Sequence, residues 1–121
     1  MSTTRIEMKK ALHLECCDVQ KEYEKKFGDN TIVLTQVGSF FEIYELDLTD
    51  HPDYPNGNTK MGKVREISTI LDMQVTKKDK KPHSIKNPLM LGFPTYRINK
   101  YINKLIQNNY TVLKFIQIDR D

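Results

Sequence analysis

Phe40 and Glu42 are the side chains whose types and spacing could do chemistry on another molecule. They stand in the stretch Gln36-Val37-Gly38-Ser39-Phe40-Phe41-Glu42-Ile43-Tyr44, which the apolar run Ile32-Val33-Leu34 leads into. Gly38-Ser39 is a turn pair, because Gly accepts positive φ and Ser bonds to nearby backbone. If Phe40 opens the next strand, Phe40 and Glu42 project from one face, about 6–7 Å apart. An aromatic ring beside a carboxylate can stack on a base and test it by hydrogen bonding. Taken alone, the stretch favours the plainer reading, a β-hairpin whose aromatics enter the core.

A second feature is the window Lys77-Lys78-Asp79-Lys80-Lys81-Pro82-His83-Ser84-Ile85-Lys86, with five lysines and one aspartate. Such a loop holds phosphates by charge alone, without reading sequence. It serves equally as a solvated surface loop.

Catalytic constellations are not evident. There is no G-x-x-x-x-G-K-[ST] loop. His13, His51 and His83 are dispersed, with no metal or nucleophile pairing in sequence. Cys16 and Cys17 are adjacent, which gives neither a disulfide framework nor a zinc pattern. Cys16 falls on an apolar helical stripe and reads as a core residue. Nuclease-type carboxylate clusters are missing, so a binding module is favoured over an enzyme, with a nuclease-like enzyme as the third class. The 121 residues suit one domain, and a net charge of +3 permits a polyanionic partner without requiring one. No apolar run is long enough for a bilayer, and no signal-peptide core follows the N-terminus, so an intracellular, soluble protein without a membrane partner is expected.

The elements that must position these residues are an N-terminal helix within residues 1–30 and a mixed α/β core over 31–118, together one domain spanning 1–121. Met8, Leu12, Cys16, Val19, Tyr23 and Phe27 form the helix's apolar face, closed by Gly28. Thr31 to Val37 and Phe40 to Tyr44 read as paired strands. Glu45 to Gly62 reads as a polar surface loop through Asp47, Thr49, Asp50, His51, Pro52, Asp53, Pro55, Asn56, Gly57 and Asn58. Val64, Ile67, Ile70 and Leu71 mark a short helix, and Met73 to Thr76 a short strand. Leu89-Met90-Leu91 is a strand ended by Gly92-Phe93-Pro94. Thr95 is placed to N-cap a third helix with the stripe Ile98, Tyr101, Ile102, Leu105 and Ile106. Thr111 to Ile118 suits a central strand covered on both faces. The expected fold is α/β (α+β): a mixed sheet of about five or six strands with three helices packed on it.

Four segments together resemble the N-terminal mismatch-recognition domain of MutS-type DNA mismatch repair proteins. The family's Gly-Asp-Phe-Tyr-Glu is similar to Gly38-Ser39-Phe40-Phe41-Glu42. Its Leu-Asp-Ile-x-Leu-Thr-x-Arg resembles Leu71-Asp72-Met73-Gln74-Val75-Thr76-Lys77-Lys78. Its Pro-Met-Ala-Gly-Ile-Pro resembles Leu89-Met90-Leu91-Gly92-Phe93-Pro94, followed by a helix like Lys100-Tyr101-Ile102-Asn103-Lys104-Leu105 and a strand over Val112 to Gln117. Ser39 stands where the family has Asp, Phe41 where it has Tyr, and Leu91 where it has a small Ala, which places a larger side chain near the wedge. The connection from Glu45 to Gly62 is longer than the family's. The pattern most resembles the divergent branch of large DNA viruses and some mitochondria.

The resemblance implies that Phe40 enters the minor groove and stacks on a mispaired or unpaired base, with Glu42 sharing a hydrogen bond with that base. Gly38 and Ser39 would shape the turn, and Lys77, Lys78, Lys80 and Lys81 would meet phosphates. The implied partner is double-stranded DNA with a mismatch or small loop, and the implied full-length protein is a dimer. No cofactor is implied for this chain. ATP and Mg belong to the family's ATPase domain, which would lie beyond Asp121. The alternative is a nucleic-acid or protein interaction module on the same fold, without mismatch discrimination.

Overall fold

The computed structural model describes residues 3–6, 11–48, 60–77, 80–84 and 86–117. Its elements run β1 (Thr3–Ile6), α1 (Leu12–Phe27), β2 (Thr31–Val37), β3 (Phe40–Asp47), β4 (Lys60–Gly62), α2 (Val64–Leu71), β5 (Thr76–Lys77), β6 (Leu89–Pro94), α3 (Ile98–Gln107) and β7 (Thr111–Gln117). A single 3-10 turn, Thr95–Arg97, leads into α3.

Apolar runs build the centre. β7 lies beside β2 in parallel, with Ile32 opposite Val112 and Val33 opposite Leu113. β1 adds to the other side of β7, also parallel. From β2 the sheet continues antiparallel through β3, β6 and β5, giving the order β1-β7-β2-β3-β6-β5, with β4 paired to the far end of β3. Alternation along each strand serves two layers. Ile32, Leu34, Phe41, Ile43, Leu91, Phe93 and Val112 meet α2 and α3 on one face. Val33, Leu113 and Phe115 meet Val19 and Tyr23 of α1 on the other. β7 is thus covered on both sides, as its continuous apolar sequence requires.

The mixed sheet with three helices packed on it is as expected: six strands form its path among the described residues, and β4 pairs with β3 off that path. The N-terminal thirty residues are not helix alone, because Thr3–Ile6 is a strand. Met8 lies outside the described residues, as do Thr49, Asp50, His51, Pro52, Asp53, Pro55, Asn56, Gly57 and Asn58 of the expected loop. The ends of that loop are strand: β3 runs on to Asp47, and Lys60–Gly62 returns antiparallel to it. The strand expected at Met73 to Thr76 is instead Thr76–Lys77, and β6 continues through Gly92-Phe93-Pro94. Thr95 does not cap α3. It opens the 3-10 turn, and its N–H donates to the Ser39 carbonyl at 2.8 Å.

Two buried polar side chains complete the backbone where strands part. β2 and β3 pair only from Thr35–Glu42 to Val37–Phe40. Beyond that, the Gln20 amide substitutes for the missing strand: its Nε2 donates to the Thr31 carbonyl at 2.6 Å and its Oε1 accepts from Val33 N–H at 2.8 Å. A buried backbone group left unpaired would be costly, so a Gln on an otherwise apolar helix face is stabilising here. Glu45 does similar work for α2, whose first turn has no local side-chain cap. Its Oε1 accepts from the Arg65 N–H at 3.2 Å, and its Oε2 takes the Arg65 guanidinium at 2.6 Å.

Candidate nucleic-acid interface

The β2–β3 hairpin closes through two residues. Gly38 has φ +60 and Ser39 is not in the positive-φ region, the pattern of a type II′ turn, which matches the twist of the flanking strands. Register then fixes what each aromatic does. Phe40 lies at the strand start, 47% exposed, while Phe41 points through the sheet and is 3% exposed. Phe41 lies 6.1 Å from the Phe93 ring, which in turn lies 4.6 Å from the ring of Tyr101. Leu91 is on this same core face, opposite Ile43, so the larger residue there packs away from Phe40 rather than beside it.

On the other face Phe40, Glu42 and Tyr44 follow one another. Glu42 is half-buried, and the Tyr44 hydroxyl donates to its Oε2 at 2.9 Å. Among the described residues Glu42 Oε1 carries no hydrogen bond. Burial raises the Glu42 carboxyl above its ordinary value, and the Tyr44 hydrogen bond works against that shift. Burial, then the neighbouring carboxylate, pushes the Tyr44 phenol up, so it stays a donor. A groove of about 330 Å³ opens beside this pair, lined by Phe40, Glu42, Gln74, Thr76, Met90 and Gly92.

The lysines are not part of the tip. Lys77 pairs with Leu89 while Phe40 pairs with Pro94, at opposite ends of β6. Five residues of strand separate them by about 17 Å. Lys80 and Lys81 are exposed on the following loop, and Lys78 lies outside the described residues. That loop is fastened rather than loose. The buried Asn87 donates its Nδ2 to the Lys81 carbonyl at 2.6 Å, and His83 Nε2 sits 2.9 Å from the Glu45 carbonyl.

Sequence reasoning missed two residues that flank the tip. Tyr96 is 80% exposed on the 3-10 turn, and the Arg97 guanidinium lies 5.6 Å from its ring centroid. The bond from Thr95 N–H to Ser39 fixes them next to the hairpin turn. The available signal was Gly92-Phe93-Pro94, which ends a strand and aims the chain after it.

No group of metal-ligating side chains occurs among the described residues. Cys16 and Cys17 are free and buried, and burial pushes the Cys16 thiol up to about 12, so it packs rather than reacts. No helix among the described residues is long and apolar enough to cross a membrane.

Residues 64–120 match the family model described as MutS domain I. That match begins after the hairpin. Two curated relatives extend the similarity. A MutS homologue of DNA mismatch repair from Acanthamoeba polyphaga mimivirus is 29% identical over 103 residues, covering 81% of this chain and 8% of that protein. The mitochondrial DNA mismatch repair MutS homologue of Sarcophyton glaucum is 21% identical over 110 residues, covering 79% of this chain and 11% of that protein. Stretches that long include the hairpin wherever they start. The chain spans about a tenth of the length of the curated relatives it matches. One relative is viral and the other mitochondrial, in keeping with the divergent branch that the sequence resembles. Fold, motif order and relatives agree with the family match, and the chain is similar to domain I of the MutS family.

Proposed function

We propose that this domain recognises mispaired or unpaired bases in double-stranded DNA, with Phe40 as the wedge and Glu42 as the hydrogen-bonding partner of the displaced base. The observation that carries this reading is the division of labour at the hairpin: Phe40 is exposed with the half-buried Glu42 on its face, while Phe41 is locked in the core. An exposed ring at the strand start beside a two-residue turn is free to enter a minor groove. Driving it between base steps costs a few kcal/mol of unstacking, and a defective pair lowers that cost. Discrimination then comes mainly from deformation energy.

Supporting groups lie on both sides. Tyr96 and Arg97 flank the tip, where a planar cation suits phosphate. Lys77 sits about 17 Å away along β6, roughly five base steps at 3.4 Å each, and Lys80 and Lys81 are exposed on the loop that follows. They supply charge to the backbone rather than to the lesion. The chain's own role is binding. In this reading the full-length protein is a dimer with an ATPase domain that uses ATP and Mg, and both lie outside residues 1–121.

The test compares matched, mispaired and singly bulged duplexes at fixed salt. Phe40→Ala should bring all three to similar affinity, losing ~1–3 kcal/mol of stacking on the defective ones. Glu42→Ala removes a negative charge near phosphates, so it should tighten matched duplex and narrow discrimination. Wild-type protein that binds matched DNA, mispaired DNA and RNA alike would leave only an interaction module on this fold.

A further inference from the structure

The α3 side of the sheet carries charge of one sign. Between Asp79 and Asp119 the chain has no carboxylate and seven lysines or arginines. Four of these, Arg97, Lys100, Lys104 and Lys114, stand on the 3-10 turn, α3 and β7. Among the described residues none of the four is in an ion pair, and the pairs found there involve Lys26, Lys63 and Arg65. Two of the four lie against a row of rings instead. Lys114 Nζ is 6.0 Å from the Phe41 ring centroid and Lys100 Nζ is 5.5 Å from that of Tyr101, with Phe93 between the two rings. Cations gathered without acids raise the local potential and draw a polyanion.

Helix periodicity arranges the outer side of α3 as a track. Asn99, Lys100, Asn103, Lys104 and Gln107 are exposed in the i, i+1, i+4, i+5, i+8 order of one helix face, while Tyr101, Ile102 and Leu105 are buried against the sheet. Tyr96 stands at the start of the track, 80% exposed. The Arg97 guanidinium lies 5.6 Å from its ring centroid. The bond from Thr95 N–H to the Ser39 carbonyl anchors the turn that presents both. From Tyr96 to Gln107 the track is about 16 Å long at 1.5 Å per residue, the span of about five stacked nucleotides at 3.4 Å each. It lies on the opposite side of the sheet from Phe40 and Glu42, whose face α1 meets further along β3.

We propose that this track is a second binding site, for single-stranded nucleic acid, with a base stacked on Tyr96 and the following phosphates on Arg97, Lys100 and Lys104, beside Lys114. An aromatic platform that leads into a line of cations holds a strand without regard to its sequence. The amides of Asn99, Asn103 and Gln107 both donate and accept, so they suit any base or sugar that passes. A duplex keeps its bases paired and stacked, and so offers Tyr96 no free face. An acidic peptide would meet the charges but leave the ring in water. The site does not depend on Phe40 entering DNA, because it lies on the other layer and its ligand needs no mismatch.

The experiment uses the full chain and short labelled oligothymidylate, followed by fluorescence anisotropy at low salt. An abasic strand of equal length keeps the phosphates and removes the stacking faces. Wild-type protein should bind oligothymidylate about tenfold more tightly than the abasic strand, the effect of one stacked base. Tyr96→Ala should bring the two to equal affinity, and Tyr96→Phe should restore the difference. Lys100→Gln with Lys104→Gln should weaken both strands and flatten the salt slope by about 0.7 for each phosphate released, while the preference for mispaired over matched duplex stays as it was. Equal binding of the two strands by the wild-type chain overturns the proposal, and that comparison needs no variant to fold. So does a folded Tyr96→Ala chain that keeps the oligothymidylate advantage, or a Phe40→Ala chain that loses it. Polyglutamate of equal charge that displaces oligothymidylate as readily as unlabelled strand does would give the surface to an acidic protein and overturn it too. Failure of the wedge reads out separately, as Phe40→Ala protein that still prefers a mispaired duplex to a matched one.

Discussion

Tyr44 donates its hydroxyl to Glu42 Oε2 at 2.9 Å from two residues along the same strand, and this bond favours the ionised form of a half-buried carboxylate. Burial raises the carboxyl from its ordinary value of 4.5, so ionised Glu42 costs the fold stability above its folded-state pKa. That cost is relieved as pH falls through the folded-state pKa. Tyr44→Phe removes the opposing hydrogen bond and should raise the carboxyl further. At neutral pH it should cost about 1.5–3 kcal/mol, as loss of a bond to a charged group does, and the cost should shrink in acid as Glu42 protonates. Thermal melts from neutral to acidic pH check the sign. In a Glu42→Gln background the same substitution should cost only about 0.5–1.5 kcal/mol.

Phe40 and Phe41 should separate binding from stability. Phe41→Ala empties a packed aromatic site and should destabilise the domain by about 3–5 kcal/mol. Phe40→Ala should change stability by no more than about 1 kcal/mol, because half its ring is already in water. Chemical denaturation of both variants decides this. An early-melting Phe40→Ala beside an unaffected Phe41→Ala would reverse the facing of β3.

Arg65 should matter more than its half-exposed position indicates. Its partner Glu45 is almost wholly buried, with 5% side-chain exposure against 48% for Arg65. Arg65→Ala strands the carboxylate, at a cost of about 2–3 kcal/mol, below that of a fully enclosed pair because water reaches one side. Glu45→Gln leaves a cation that water can solvate and keeps an acceptor for the Arg65 N–H. Equilibrium unfolding should therefore find it the milder change.

Neutralising Lys77, Lys78, Lys80 and Lys81 together should weaken matched and mispaired DNA alike. The slope of log affinity against log salt should flatten by about 0.9 for each phosphate that no longer meets a lysine. A fall confined to mispaired DNA would mean that the loop reads the lesion.

Much of this was legible in the chain. Alternation placed Phe40 with Glu42 and opposed Phe41, and a continuous apolar run marked β7 as covered on both sides. β1 was not legible, because Thr3–Ile6 is short and its partner lies at the other end of the chain. Gln20 was missed because periodicity rewards apolar residues, and its burial follows from a gap between β2 and β3 that only register reveals. The distance between the lysines and Phe40 is likewise a matter of register along β6. The groove had one local sign, a glycine inside an apolar strand.

The bond from Thr95 N–H to the Ser39 carbonyl has a mechanical consequence. A two-residue turn on its own is a compliant tip that folds back under load. Here β2 braces one flank of the tip and the end of β6 the other, so the turn is the middle of a three-stranded edge. A ring mounted there is carried at a fixed height above the sheet, like the stylus of a gauge. If Phe40 is the wedge proposed above, whatever it presses against must do the yielding, and the reading taken is the softness of the object rather than the reach of the protein.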